Sequence, residues 1–232
     1  MSFNGKNKAI TFSYDDGILQ DIRLIELLNK YNLKSTFNLN SAQLGDRGML
    51  VREGKQINFN KIPKEDIKTI YAGHEIASHT LTHPLLTKLT EAEIINQVEN
   101  DRLNLSELAG YEVVGFAYPC GGLNNDDRVA EIIKNNTGIK YCRTITENGS
   151  FDPQSNLYRF NPTAHHLNFD AIMDLGQRFI DLKTDTPKIF YVWGHSFEMD
   201  YSPDYWYRLE QFFKLISGKD DIFYGTNKEV LL

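Results

Sequence analysis

Short β-rich runs alternate with helical patterns along this 232-residue sequence, and that alternation restricts its fold more than anything else in it. Residues 8–12 (KAITF) read as a buried strand, followed by the turn pair Asp16-Gly17. Residues 18–31 then carry Ile22, Leu24, Ile25 and Leu28 at helical spacing. Strand patterns recur at 35–39, 74–78, 113–117, 139–145, 188–193 and 222–224. Helical ones fill 64–71, 90–109, 126–134, 168–182 and 203–216, with Thr90 and Glu93 spaced as a capping box and Gly73 as a C-cap. Such alternation builds βαβ units on a parallel sheet, an α/β fold. Seven or eight units in this length fit a closed (β/α) barrel better than an open sheet. No repeat, low-complexity tract or linker divides the chain, so one domain over residues 1–232 is expected. Residues 41–63, polar and glycine-bearing, read as an inserted loop that either lines a groove or is inert.

Composition excludes several classes. With 41% hydrophobic and 24% charged residues the chain can build a core, which rules out a disordered or fibrous protein. The 25 basic residues face 31 acidic ones, a net charge of -6, so the basic footprint of a nucleic-acid binder is absent. No apolar run approaches the roughly 20 residues that span a bilayer. The opening MSFNGKNKAI has lysines but no apolar stretch behind them. As written, it predicts a cytoplasmic protein, or an extracellular one if a leader has been trimmed. Cys120 and Cys142 are too few for a disulfide framework.

Barrel enzymes gather their chemistry just past the C-terminal ends of their strands. Those positions hold Asp15 and Asp16, His79 and His83, the Tyr118-Pro119-Cys120-Gly121 turn, Arg143, and His195. In His79-Thr80-Leu81-Thr82-His83, two imidazoles four residues apart are expected on one face of a helical turn, where both reach one metal ion. A carboxylate suits zinc as the third ligand, and Asp16 is the candidate. Three protein ligands leave a position open for water. Asp15 then remains free to take a proton, although Asp-Asp-Gly is also simply a turn former. His195 is either a general acid or a core histidine bonded to backbone. Cys120 lacks a partnered base, so its backbone N–H, aimed at an oxyanion, is a better role than a nucleophilic thiol. His165 and His166 are expected to point opposite ways and to be structural. Tyr118, Trp193 and Trp206, with Tyr201, Tyr205 and Tyr207, are candidates for stacking on a sugar or for core packing.

Four segments in this order, Thr11 to Gly17 (TFSYDDG), His79 to His83 (HTLTH), Phe116 to Gly121 (FAYPCG) and Trp193 to Ser196 (WGHS), resemble the motif series of the polysaccharide deacetylases, carbohydrate esterase family 4 with the NodB-homology fold. The resemblance covers about residues 8–197. It implies a distorted (β/α) barrel of about seven units and a metal-dependent hydrolase acting on an acetylated oligo- or polysaccharide, N- or O-linked. It also implies Asp15 as the base, Asp16, His79 and His83 as ligands of a divalent ion (zinc first), Thr80 as their support, the Cys120 backbone as oxyanion donor and His195 as the acid. The sequence departs from the series at three points. Ala117 stands where many members carry an arginine that orients the base, so Arg143 on the neighbouring strand is the candidate replacement. Cys120 replaces a tyrosine, and no aspartate motif accompanies His195. The same fold also resembles amidases of small formyl, imide or ureide substrates. A non-catalytic carbohydrate-binding relative would have lost a ligand or the base, whereas Asp15, Asp16, His79 and His83 are all present.

Overall fold

The structure is a computed structural model that describes residues 3–52 and 54–232. Its strands are β1 (Lys8–Asp15), β2 (Thr36–Leu39), β3 (Met49–Arg52), β4 (Lys55–Asn58), β5 (Glu75–Ser78), β6 (Gly115–Ala117), β7 (Tyr141–Arg143), β8 (Ala164–His165), β9 (Lys188–Gly194) and β10 (Ile222–Tyr224). The helices are α1 (Gln20–Lys30), α2 (Ile67–Ile70), α3 (Glu91–Ala109), α4 (Asp127–Asn136), α5 (Phe169–Asp181), α6 (Tyr205–Ile216) and α7 (Asn227–Leu231). Local chemistry explains several of their ends. Thr90 and Glu93 form the expected capping box on α3, and Gly110 ends that helix in the left-handed region at φ 77°. Asp126 caps α4 by accepting the Val129 N–H at 2.8 Å.

Seven parallel strands run in the order β7-β6-β5-β2-β1-β9-β8. The two ends of this curled sheet meet through Phe160. It bridges Arg143 of β7, donating its N–H to Cys142 and accepting that of Thr144, both at 2.9 Å. Four residues later the same segment becomes β8 and pairs with β9. Pro162, which has no N–H to give to a ladder, lies between the two pairings. The sheet is therefore a distorted, curled half-barrel in which β7 and β8 do not pair and, among the described residues, only this isolated bridge spans the seam. All eight residues of β1 are buried, as expected for a strand covered on both faces. Phe12, Phe37 and Phe190 from the sheet pack with Leu24 and Leu28 of α1, Phe179 of α5, and Phe212 and Phe213 of α6.

One edge of β1 is shared. Lys8 to Ile10 pair with β10, and Ser13 to Asp15 pair with β2. Beside β10, α7 closes the N-terminal end of the barrel. Asn227 accepts from Thr11 Oγ1 (2.8 Å) and donates to the Tyr191 hydroxyl (2.5 Å), and its N–H reaches Thr36 Oγ1 (2.8 Å). The Lys228 N–H reaches buried Glu75, which also accepts from Thr36 and Tyr141. The site must therefore open at the other end.

Two expectations are corrected here. Residues 41–63 are not all loop, because β3 and β4 form an antiparallel hairpin. Its Leu50 and Ile57 pack with Ile18 and Phe197, which anchors the insertion to the barrel rim. Residues 79–83 are not a helical turn. Thr80 and His83 take positive φ values of 71° and 60°. Pro84, which disfavours helix at the residue before it, follows directly.

Candidate active site

Asp15, Asp16, His79, His83, Tyr118, Cys120, Trp193, His195 and Glu198 line one pocket of about 260 Å³ at the C-terminal rim. Asp15 is the last residue of β1, and Asp16 turns the chain out of the strand at φ 84°, its N–H held by the Asn38 carbonyl at 3.0 Å. The next turn residue must be glycine. A Cβ on Gly17 would lie 2.7 Å from Leu39 Cδ2, and its φ is 61°.

Asp16, His79 and His83 bring three ligand atoms within 4.8 Å of one another. His79 Nδ1 lies 2.8 Å from the Ala117 carbonyl, a bond that requires the proton on Nδ1 and leaves the Nε2 lone pair facing the carboxylates. His83 Nε2 lies 3.8 Å from Asp16 Oδ1. Thr80 Oγ1 accepts the His83 N–H at 3.0 Å and so fixes the loop that a helix was expected to provide. Burial holds His79 down to about 4 and lowers His83 as well, so both rings are neutral at pH 7, the form that binds metal. Asp16 sits at about 2. Burial alone would raise it, but Lys61 and the three imidazoles more than offset that. One carboxylate and two neutral imidazoles are a donor set whose chemistry suits zinc or another divalent ion.

Asp15 is held from behind. Arg143, fully buried in β7, places Nη2 2.5 Å from both Asp15 oxygens, and Asn38 Nδ2 donates to Oδ1 at 2.8 Å. Burial pushes the Asp15 carboxyl up, but Arg143, His79 and His195 pull it below its ordinary value, so it is ionised. The guanidinium stacks on Trp193 at 4.6 Å from the ring centroid. Cys120 has a φ of 66° and points its N–H toward His83 Nε2 at 3.5 Å, so this donor faces the Asp16-His79-His83 cluster. Burial and the Asp16 carboxylate raise its thiol, which suits the backbone role better than a nucleophile.

His195 Nε2 lies 3.9 Å from both Asp15 and Asp16, and its Nδ1 lies 3.3 Å from Glu198 Oε2. Burial lowers this histidine, but Glu198, then Asp16 and Asp15, raise it to about 9, so it is protonated at neutral pH. Glu198 was not singled out in the sequence. Its Oε2 also lies 2.7 Å from His166 Nε2 and 3.3 Å from His165 Nε2, and it accepts the His195 N–H at 2.9 Å. The two histidines therefore converge on one oxygen instead of pointing apart, because β8 ends at His165 and the His166 N–H turns to the Trp193 carbonyl. A glutamate three residues after His195 was the available signal. Lys61, which donates to the Asp16 carbonyl at 2.7 Å, lies in the insertion and had none. Trp206 is corrected. It belongs to the core beneath α6, with Nε1 bonded to Asp200 at 2.9 Å and Arg23 over its ring, and does not line the pocket. Among the described residues no helix is long and apolar enough to cross a membrane.

The chain is similar to curated deacetylases over about half its length. It is 28% identical over 130 residues to the peptidoglycan-N-acetylglucosamine deacetylase PgdA of Listeria monocytogenes, covering 55% of this chain and 24% of that protein. It is 32% identical over 114 residues to a peptidoglycan-N-acetylglucosamine deacetylase of Bacillus cereus, covering 47% and 36%. The chain thus spans about a quarter to a third of the length of these relatives. In fold it is similar to the family 4 carbohydrate esterase from Streptomyces lividans, with a TM-score of 0.57 at 13% identity over 95% of this chain and 93% of that one. The pattern defining the family described as polysaccharide deacetylase matches residues 3–141, more than half of the chain. The chain belongs to the polysaccharide deacetylase family.

Proposed function

We propose that the chain is a metal-dependent hydrolase that removes acetyl groups from an acetylated carbohydrate. One observation carries this reading. An ionised Asp15 and a protonated His195 both lie within 4 Å of the Asp16-His79-His83 donor set, in one pocket. Asp16, His79 and His83 hold a divalent ion, zinc first, which supplies Lewis acidity toward the acyl carbonyl and water. Asp15 takes the proton of the attacking water, and Arg143 keeps it in the basic form and in place. The Cys120 N–H donates to the carbonyl oxygen as negative charge develops there. His195 gives its proton to the departing nitrogen, or to oxygen in an ester, and Glu198 holds the imidazolium ready. The products are acetate and the free amine or alcohol. Tyr118 and Trp193 form part of the pocket wall against which the substrate rests.

Acetate release by zinc-loaded protein tests this, using N-acetyl-chitooligosaccharides, acetylated xylan fragments and an aryl acetate, with Asp15→Asn as the control. Release that disappears in the control is expected. Metal-loaded protein that releases acetate from none of them overturns the reading in favour of an amidase of small formyl, imide or ureide substrates.

A further inference from the structure

The hairpin places two cations, Arg52 and Lys55, beside the catalytic pocket. Arg52 and Lys55 flank its turn and are directly opposite in the register, two positions along from the Leu50–Ile57 pair. Side chains two residues apart on a strand share a face. Leu50 and Ile57 pack inward against the rim, so Arg52 and Lys55 lie on the face turned toward the active site. Like charges directly opposite each other destabilise a strand pair. Lys55 is tied to the Tyr201 carbonyl at 2.6 Å, and no carboxylate among the described residues partners Arg52. Arg52 lines the catalytic pocket with Asp15, Asp16 and His195. With Lys55, Val51, Glu198 and Tyr201 it also lines an adjoining cavity of about 410 Å³. The two cavities share Arg52, Tyr201 and Glu198 as lining, so the second continues from the first toward the two cations.

The geometry points to an anion subsite: Arg52 and Lys55 bind a carboxylate or phosphate carried by the substrate next to its acyl-bearing sugar. This rests on the deacetylase reading and specifies its substrate class as anionic. An anion between the two cations would relieve their repulsion, and the planar guanidinium suits two-point contact with either group. Glu198 shares this wall, with its Oε2 turned to His165, His166 and His195.

The test is calorimetric binding, which needs no turnover. A disaccharide bearing N-acetylmuramic acid is compared with the same sugar as its carboxamide, and N-acetylglucosamine 6-phosphate is compared with N-acetylglucosamine. The wild type is expected to bind at least one anionic form about tenfold more tightly than its neutral counterpart, a preference that weakens with added salt. The responding pair identifies carboxylate or phosphate as the source. Arg52→Gln is expected to abolish the preference and Arg52→Lys to keep part of it. Equal binding of the charged and neutral members of both pairs overturns the proposal, as does a preference that survives in Arg52→Gln. Acetate release from an aryl acetate, run in parallel, reports on the deacetylase reading separately. Its failure in the wild type leaves the anion preference readable.

Discussion

Replacing Glu198 with glutamine tests whether one carboxylate sets the protonation of His195. The Glu198 oxygen lies 3.3 Å from His195 Nδ1. At that distance Coulomb attraction is worth about 1 kcal/mol in water and about 5 kcal/mol at an effective dielectric of 20, or roughly one to four pH units. The histidine is lifted from 6.5 to about 9, and Asp16 and Asp15 share that lift with Glu198. Burial works against that lift, so the three carboxylates together supply more than the net change, and Glu198, the largest of them, about one pH unit or more. In the proposed reaction His195 is the acid, so activity is expected to fall as pH rises through its pKa. In Glu198→Gln the basic limb of the kcat/KM profile should move down by that amount while the acidic limb, set by Asp15, stays in place. Following the His195 ring protons by NMR in both proteins gives the same quantity without turnover. The reasoning fails if His195 titrates near 6.5 in the wild type, or if neither its titration nor the basic limb responds to the substitution.

Arg143→Met removes the partner of a buried carboxylate, so guanidinium unfolding should show a loss of about 3–5 kcal/mol. The acidic limb should move upward, and Asp15→Asn added to Arg143→Met should recover part of the stability, with no recovery counting against a direct pair. His83→Gln should weaken zinc binding by at least about 100-fold in competition with a chelator, since even groups behind the ligands are worth 10–100-fold. Gly194→Ala would put a Cβ 2.2 Å from His166 Cδ2, a ring already held by Glu198. Its thermal unfolding should reveal a cost of about 1–3 kcal/mol.

Much of this architecture was legible because its signals are local. The β1 run and its Asp-Asp-Gly turn, the Thr90/Glu93 box and the apolar spacing of α1 each depend on neighbouring residues alone. The barrel rule then singled out Asp15, Asp16, His79, His83 and His195 as strand-end residues, and they do line one pocket. What stayed hidden depends on long-range contacts or on backbone geometry. The hairpin alternates weakly, since Met49 and Val51 are exposed while Leu50 packs on residues far along the chain. The His79–His83 loop relies on two left-handed residues, which the i, i+4 spacing does not reveal. Glu198 and Lys61 look like surface charges until the rim brings them against His195 and Asp16. Trp206 has the composition of a sugar platform, but its position on α6 turns it into the core.

The seal at the base of the barrel has a kinetic consequence. Thr11, Thr36, Glu75 and Tyr191 are buried there, and their hydrogen bonds run to α7, up to 216 residues away in the chain. The pairing of β1 with β10 spans a similar separation. Until residues 222–231 dock, these polar groups have no complete set of partners, and β1 has an open edge over the first half of its length. Contacts of such high sequence separation make folding slow, and an unpaired strand edge invites pairing with another chain. The intermediate that has formed its helices but not yet seated α7 is therefore the species most exposed to aggregation. Strain or truncation near Asn227 should show up first as a lower yield of refolded protein, before it registers in the chemistry at the opposite rim.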